Sequence, residues 1–168
     1  CYLCPGNERA GGVKNPVYSQ TFVFDNDFAA MRAETPHFET DDGGLIKARS
    51  ERGLCRVVCF SPDHSVTLSR MTGPDIRSVV DVWTEQYIEL AGIEWLQYVQ
   101  IFENRGEMMG CSNPHPHCQI WANETLPNEI AKEQSSQAEY QSGKGSCLLC
   151  DYLAKEKQEG ERVVCENG

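Results

Sequence analysis

Short apolar runs separated by polar, glycine-containing stretches form the main hydrophobic pattern of the chain. The run TFVF at 21–24 predicts a strand, and LCRVVCF at 54–60 is nearly continuous, as in a strand buried on both faces. LQYVQIF at 96–102 alternates and predicts another strand. Residues 35–53 are polar, so the pattern predicts a surface loop there.

One long stretch has helical periodicity instead. Apolar residues after Pro74 recur every three or four positions, as on a helix packed against a sheet; they are Ile76, Val79, Val80, Trp83, Tyr87 and Leu90. Thr72 is a suitable cap and Gly92 a suitable stop. Polar stretches at roughly 128–141 and 148–158 also predict helices. Strands mixed with one long covering helix indicate an α+β fold.

The segment CSNPHPHCQIW at 111–121 contains two of the four histidines. Because successive side chains of a strand point to opposite faces, His115, His117 and Gln119 are predicted to share one face. Pro114 and Pro116 cannot donate to a ladder, which predicts that the strand lies at an edge or starts here. Two imidazoles and an amide together indicate a site. The alternative is a structural turn whose rings bond to the backbone.

Charge and composition narrow the class of function. The net charge of -10 argues against a nucleic-acid-binding surface, although a pocket for a small anion stays open. The chain has no apolar run of about 18 residues that would span a membrane. It starts without methionine and without the basic and apolar regions of a signal peptide. We therefore expect a cytoplasmic protein of which this chain is a piece.

Nine cysteines in a reducing compartment are expected to be free thiols or metal ligands rather than disulfides. Cys1 and Cys4 have the spacing that lets one turn offer two thiolates to a zinc ion. Histidines are the better candidates for the remaining ligands, namely His64, which follows a buried strand, and His115. The alternative is that Cys1 and Cys4 are ordinary thiols.

The second histidine of the pair needs a separate explanation. One metal ion can rarely use two histidines of a proline-rigid segment together with a distant cysteine pair, so His117 is free for other chemistry. A neutral imidazole is a good nucleophile, and toward phosphorus it forms a phosphoramidate-type intermediate. Gln119 could donate its amide to a phosphoryl oxygen, and Ser112 and Asn113 add small donors nearby.

A faint repeat divides the chain. The pattern C-x-L-C occurs at 1–4 and again at 147–150. The repeat predicts one domain over 1–143 and the truncated start of a second, similar repeat over 144–168.

The sequence FENRGEMMGCSNPHPHCQ at 102–119 resembles the active-site signature of the galactose-1-phosphate uridylyltransferase family, a branch of the histidine-triad superfamily. CYLCPGNERAGG, NPVYSQTFVFDNDFAA and CFSPDHSVTL also resemble that family, so the resemblance covers nearly the whole chain. It implies a histidine-triad-like antiparallel sheet with covering helices.

The resemblance also implies residue roles. His117 would attack the α-phosphorus of UDP-glucose, release glucose 1-phosphate, and hold UMP until galactose 1-phosphate takes it as UDP-galactose. Gln119 would stabilise that intermediate, and it indicates transfer rather than hydrolysis, because related hydrolases usually carry a third histidine there. The implied zinc ligands are Cys1, Cys4, His64 and His115. The residues implied to line the UDP pocket are Asn26, Asp27, Phe102, Asn104, Ser112 and Gln119.

Several implications stay open at this stage. Some family members bind Fe2+ through a glutamate that aligns with Glu133, whereas others use a second C-x-x-C, here Cys147 and Cys150, for a second zinc. Glu133 could equally be a solvated helix charge. The family also implies a homodimer that completes the active site. The rival functions are an adenylyltransferase or phosphorylase acting on ADP-sugars, and a non-catalytic, zinc-stabilised nucleotide-binding module.

Overall fold

A four-stranded antiparallel sheet forms the centre of the fold, in a computed structural model that describes residues 1–167. The strands are β1 (Phe22–Asp25), β2 (Glu39–Asp42), β3 (Ile46–Arg49), β4 (Gly53–Cys59), β5 (Tyr98–Phe102) and β6 (His117–Asn123). The helices are α1 (Gly73–Ala91), α2 (Asn128–Lys144) and α3 (Leu148–Glu159). The main sheet has the order β1-β4-β6-β5, which confirms the predicted α+β class with an antiparallel sheet.

Helix α1 has the predicted ends. The Thr72 hydroxyl accepts a hydrogen bond from the Asp75 amide, and Gly92 is the C-terminal cap. Its apolar stripe is narrower than predicted: Val79 and Leu90 are fully buried, whereas Val80 is 41% exposed. The buried part packs with side chains from one face of the sheet, and the core contains Val58, Phe60, Val79, Leu90, Leu96, Cys118, Ile120 and Ala122.

The predicted loop at 35–53 is wrong in part, because it contains the hairpin of β2 and β3. The hairpin turns through Gly43 and Gly44, which both have positive φ, as tight hairpin turns require. Every residue of both strands is exposed. The usual signal of a strand, one buried face, is therefore missing from this stretch.

The position of β6 corrects a second expectation. The strand starts at His117, directly after Pro116, as the prolines predicted. The edge alternative is wrong, since β6 lies between β4 and β5. Proline is compatible with this place because only its carbonyl is used: the Pro116 carbonyl accepts a hydrogen bond from the Phe60 amide at 3.1 Å.

The chain divides into two compact units, one over Cys1–Thr125 and one from Leu126 onward. The first contains both sheets and α1, and the second contains α2 and α3. The predicted helices at 128–141 and 148–158 are confirmed. The domain boundary at 143 and the second repeat stay predictions. No helix within residues 1–167 has the length and apolar content to cross a membrane.

Candidate active site and metal group

Strand β6 separates its side chains onto two faces. Cys118, Ile120 and Ala122 are buried and belong to the core with α1. His117, Gln119 and Trp121 alternate with them and are half-buried on the opposite face. The period of two therefore presents an imidazole and an amide on the face away from α1.

His115 precedes the strand, so strand alternation does not set the direction of its side chain, contrary to the prediction. Its ring is fully buried, and its Nε2 lies 2.8 Å from the Ser61 carbonyl oxygen. A carbonyl can only accept, so Nε2 holds the hydrogen and Nδ1 holds the lone pair. Burial also holds the pKa of His115 below its usual value, which keeps the ring neutral.

The protonation pattern of His117 is set by the main chain. Its Nδ1 lies 2.7 Å from the His115 carbonyl oxygen, so Nδ1–H is the donor. In the neutral ring, Nε2 therefore has a free lone pair. This is the tautomer required of an imidazole nucleophile that reacts through Nε2.

Gln119 is also held in one orientation. Its Oε1 accepts hydrogen bonds from the Trp121 indole at 3.0 Å and from the Asn26 amide at 3.4 Å. Because the oxygen is occupied, the amide nitrogen of Gln119 remains available as a donor. Trp121 was not predicted as a site residue, although its spacing two residues from Gln119 on the same strand is a signal that alternation provides.

Two cavities meet at His117 and Ser112. The larger, of about 600 Å³, is also lined by Asn104, by Cys111, and by the charged side chains of Glu103, Arg105 and Glu107. The smaller, of about 200 Å³, is lined by Asn26, Asp27, Phe28 and Gln119 as well. The larger volume is in the range of small-molecule sites. Of the predicted pocket residues, only Phe102 lines neither cavity; its ring packs edge-on against Trp121 instead.

The four predicted metal ligands lie together. One donor atom from each of Cys1, Cys4, His64 and His115 falls within 4.8 Å of the others. The Cys4 sulfur is 3.8 Å from Nδ1 of His115 and 4.0 Å from Nδ1 of His64. No other group of three or more such side chains occurs within residues 1–167.

This donor set fits a metal ion. Two thiols and two imidazoles are a common ligand set for tetrahedral zinc, with bonds of about 2.0–2.3 Å, so neighbouring ligand atoms lie near the separations found here. The lone pair of His115 Nδ1 is available because Nε2 is the protonated nitrogen. The arrangement is therefore compatible with metal binding.

The other predicted ligands lie in the second unit. Glu133 is an exposed residue of α2. Cys147 is the N-cap residue of α3, and Cys150 lies in its first turn; both are exposed. The nearby backbone amide of Cys150 is the main reason that the pKa of Cys147 is lowered. Their metal roles stay predictions.

A four-stranded antiparallel sheet with this His-x-Gln strand is the histidine-triad-like fold that the sequence resemblance implied, and a solved uridylyltransferase structure has the same fold. A uridylyltransferase structure superimposes with a TM-score of 0.84 at 25% identity, over 100% of this chain and 52% of that one. The family model for the N-terminal domain of galactose-1-phosphate uridyl transferase matches residues 1–127. The chain belongs to the galactose-1-phosphate uridylyltransferase family.

Curated relatives agree with this placement. The galactose-1-phosphate uridylyltransferase of Haemophilus influenzae is 51% identical over 166 residues, which is 99% of this chain and 47% of that protein. The enzyme of the same name from Rattus norvegicus is 47% identical over 96% of this chain and 42% of that protein. The chain thus spans about half the length of the curated relatives that it matches.

Proposed function

We propose that this chain supplies the nucleophile of a galactose-1-phosphate uridylyltransferase, which converts UDP-glucose and galactose 1-phosphate into glucose 1-phosphate and UDP-galactose. The observation that carries the proposal is the hydrogen bond from His117 Nδ1–H to the His115 carbonyl. It supports His117 as a nucleophile whose reactive nitrogen, Nε2, keeps its lone pair beside two cavities.

The reaction then has two balanced steps. The Nε2 lone pair attacks the α-phosphorus, an N–P bond forms, and the bond to the bridging oxygen breaks, so that glucose 1-phosphate leaves with its electron pair. A phosphate oxygen of galactose 1-phosphate attacks the same phosphorus in the second step, and the N–P electron pair returns to Nε2. The Nδ1 proton stays on the ring throughout. The His115 carbonyl stabilises the positive charge that the ring gains.

Gln119 is the proposed donor to the phosphoryl oxygens. Its carbonyl end is occupied by Trp121 and Asn26, which supports an outward-facing amide nitrogen. Asn26, Asp27 and Ser112 are the proposed contacts of the nucleotide in the cavities next to His117, with Asn104 on the other side. We propose Phe102 as an indirect contributor, through its contact with Trp121.

The proposed metal is Zn2+, held by Cys1, Cys4, His64 and His115. Four protein ligands leave no position for water, so the ion would be structural and would cross-link parts of the chain. His115 connects the two sites, because its ring belongs to the metal group while its carbonyl orients His117.

Further properties are proposed for the full-length protein only. They are a cytoplasmic location, a homodimer, and hexose 1-phosphates with UDP-glucose or UDP-galactose as the substrates. A domain boundary at 143 and a second metal, held by Glu133 as Fe2+ or by Cys147 and Cys150 as zinc, belong to the same proposal.

Intact-protein mass spectrometry after mixing with UDP-glucose tests the reaction. The buffer must preserve the acid-labile P–N bond. We expect a mass gain of one UMP in the full-length protein, located on His117, and no gain in the His117→Gly variant. The matched control is His37→Gly, because His37 is exposed on the chain before β2 and should leave the adduct unchanged.

Other nucleotide-sugar donors, and a comparison of the full-length protein with residues 1–168, distinguish the rival functions. A gain with ADP-glucose in place of UDP-glucose would favour an adenylyl-transferring enzyme. A gain in the full-length protein but not in residues 1–168 would assign completion of the site to the remaining sequence. Tight binding of UDP with no adduct in either protein would contradict the proposal and favour a binding module.

A further inference from the structure

The turn that contains Cys1 and Cys4 is held by two side chains that have no assigned role. Asn15 donates its amide to the Tyr2 carbonyl at 2.8 Å and to the Cys4 carbonyl at 3.0 Å. The Tyr18 hydroxyl donates to the Leu3 carbonyl, between those two, at 2.6 Å. Three successive carbonyls of the cysteine turn therefore accept hydrogen bonds from one segment, N-P-V-Y at 15–18.

These hydrogen bonds are buried, so water cannot easily replace them. Asn15 is only 3% exposed, and Leu3 is similarly buried. The backbone of the same segment also pairs with the end of the cysteine turn, through the Asn15 amide to the Asn7 carbonyl at 2.9 Å. A buried donor that bridges two carbonyls holds both peptide units at a fixed angle.

Because the peptide unit is planar, fixing the Tyr2 carbonyl also fixes an N–H group next to the Cys1 sulfur. The Tyr2 carbonyl and the Leu3 amide belong to one trans peptide unit, so they point in opposite directions. With the carbonyl bound to Asn15, the Leu3 N–H faces the other side and lies 3.4 Å from the Cys1 sulfur. An N–H donor at this sulfur favours its charged, metal-binding form.

Tyr18 extends the restraint to a third ligand. Its hydroxyl oxygen lies 3.3 Å from His115 Nε2, whose hydrogen points mainly at Ser61. Since the Tyr18 hydrogen is donated to Leu3, this oxygen accepts from His115. The ring itself is fixed by stacking on Phe22 with centroids 5.0 Å apart. Tyr18 thus contacts both the cysteine turn and a histidine of the group.

We propose that Asn15 and Tyr18 are positioning residues that pre-form the metal group before an ion binds. Neither side chain is a ligand: Asn15 acts through the carbonyls of the cysteine turn, and Tyr18 acts through the Leu3 carbonyl and His115 Nε2. The inference rests on the proposed metal site, although not on the proposed transfer reaction. Loss of such outer contacts typically lowers metal affinity about 10–100-fold.

Zinc affinity is the measurement that tests this proposal. The variants are Tyr18→Phe, which keeps the stacked ring, and Asn15→Leu, which removes both donors at similar size. We expect each to bind zinc about 10–100-fold more weakly in competition with a chromogenic chelator, with Asn15→Leu the weaker binder. The control is Tyr2→Phe, because the Tyr2 hydroxyl makes no hydrogen bond within residues 1–167, and its affinity should equal that of the wild type.

A second measurement separates positioning from general stability. Thermal unfolding is followed with zinc and with EDTA, and the shift produced by zinc should be smaller in both variants than in the wild type. If the variants lose stability equally with and without zinc while their affinity is unchanged, the positioning role is overturned. If Asn15→Leu does not fold, Tyr18→Phe decides alone. A wild type that holds no zinc would instead remove the metal site itself.

Discussion

The two faces of β6 differ in what holds their side chains. On the face toward α1, Ile120 and Cys118 are buried in the apolar core, where the Cys118 sulfur also accepts a hydrogen bond from the Trp83 indole. On the opposite face, His117 and Gln119 are half-buried and are oriented by hydrogen bonds, His117 by one to the His115 carbonyl and Gln119 by two, from Trp121 and Asn26. One strand thus combines packing that stabilises the fold with oriented polar groups that face a cavity.

Replacing His117 by glycine should show the largest difference between the two faces, with a large loss of transfer rate and a small loss of stability. Without the proposed nucleophile, we expect the proposed transfer from UDP-glucose to galactose 1-phosphate to fall by more than about 10⁴-fold in the full-length protein. The free energy of unfolding should fall only by about the value of one hydrogen bond, 0.5–1.5 kcal/mol. Initial rates and urea titrations measure the two quantities. Normal transfer would remove His117 from the mechanism.

Replacing Ile120 by alanine should produce the opposite pattern. Ile120 is fully buried, so its truncation leaves a cavity and should cost about 2–5 kcal/mol of unfolding free energy. Urea denaturation measures this loss. The rate per folded molecule should stay close to that of the wild type, and a large drop in that rate would show that the two faces are coupled.

Gln119→Met should lower the rate by an intermediate amount. Methionine keeps the length of the side chain and removes the amide donor, so kcat should fall by about 10²–10³. Trp121→Phe serves as the graded comparison: it keeps an aromatic ring, removes the indole donor that orients Gln119, and should cost about two- to tenfold. Equal effects from both variants would contradict a direct role for the Gln119 amide.

Acid should have the smallest effect, and it should act on the segment before β6 rather than on the covered face of the strand. The pKa of Cys118 is raised to about 12 by burial, so the covered face keeps its charge state at any mild pH. His115 has a pKa below the value of about 6.5 in the unfolded chain, again because of burial. The unfolded chain therefore binds the proton more readily, and stability is complete above about pH 6.5 and falls as the pH drops below it.

Urea titrations of metal-depleted protein between pH 7.5 and pH 5 test this direction. The wild type should lose unfolding free energy on acidification, and His115→Gln should lose less over the same range. An equal loss in both proteins would assign the pH dependence to other groups.

Local patterns in the sequence were sufficient for much of the fold. The strands β1, β4 and β5 and the capped helix α1 follow from apolar periodicity, because β4 and α1 contain buried apolar residues and β1 and β5 are mostly half-buried. The hairpin of β2 and β3 buries none, so periodicity could not find it. The interior place of β6 depends on which strands pair with it, and that is a property of the whole sheet.

The candidate site was predictable where side-chain chemistry and spacing are distinctive. His117 and Gln119 follow from a period of two, and Cys1 and Cys4 from a known ligand spacing. The contributions of Asn15, Tyr18 and the His115 carbonyl were not predictable, because each is a bond to or from a main-chain group. Any residue type can offer its carbonyl, so such contacts leave no mark in the sequence.

The residues of the metal group lie far apart in the sequence, so a ribosome makes them at different times. The two thiols of the turn are made first, and His115 is added 114 positions later. A ribosome adds roughly 5–20 residues per second, so the thiols remain without their full set of partners for roughly 6–23 s. Throughout that interval Cys1 and Cys4 are open to oxidants and to other thiol-binding metals. The finished fold therefore cannot shield these two thiols until His115, the last member of the group, has been made.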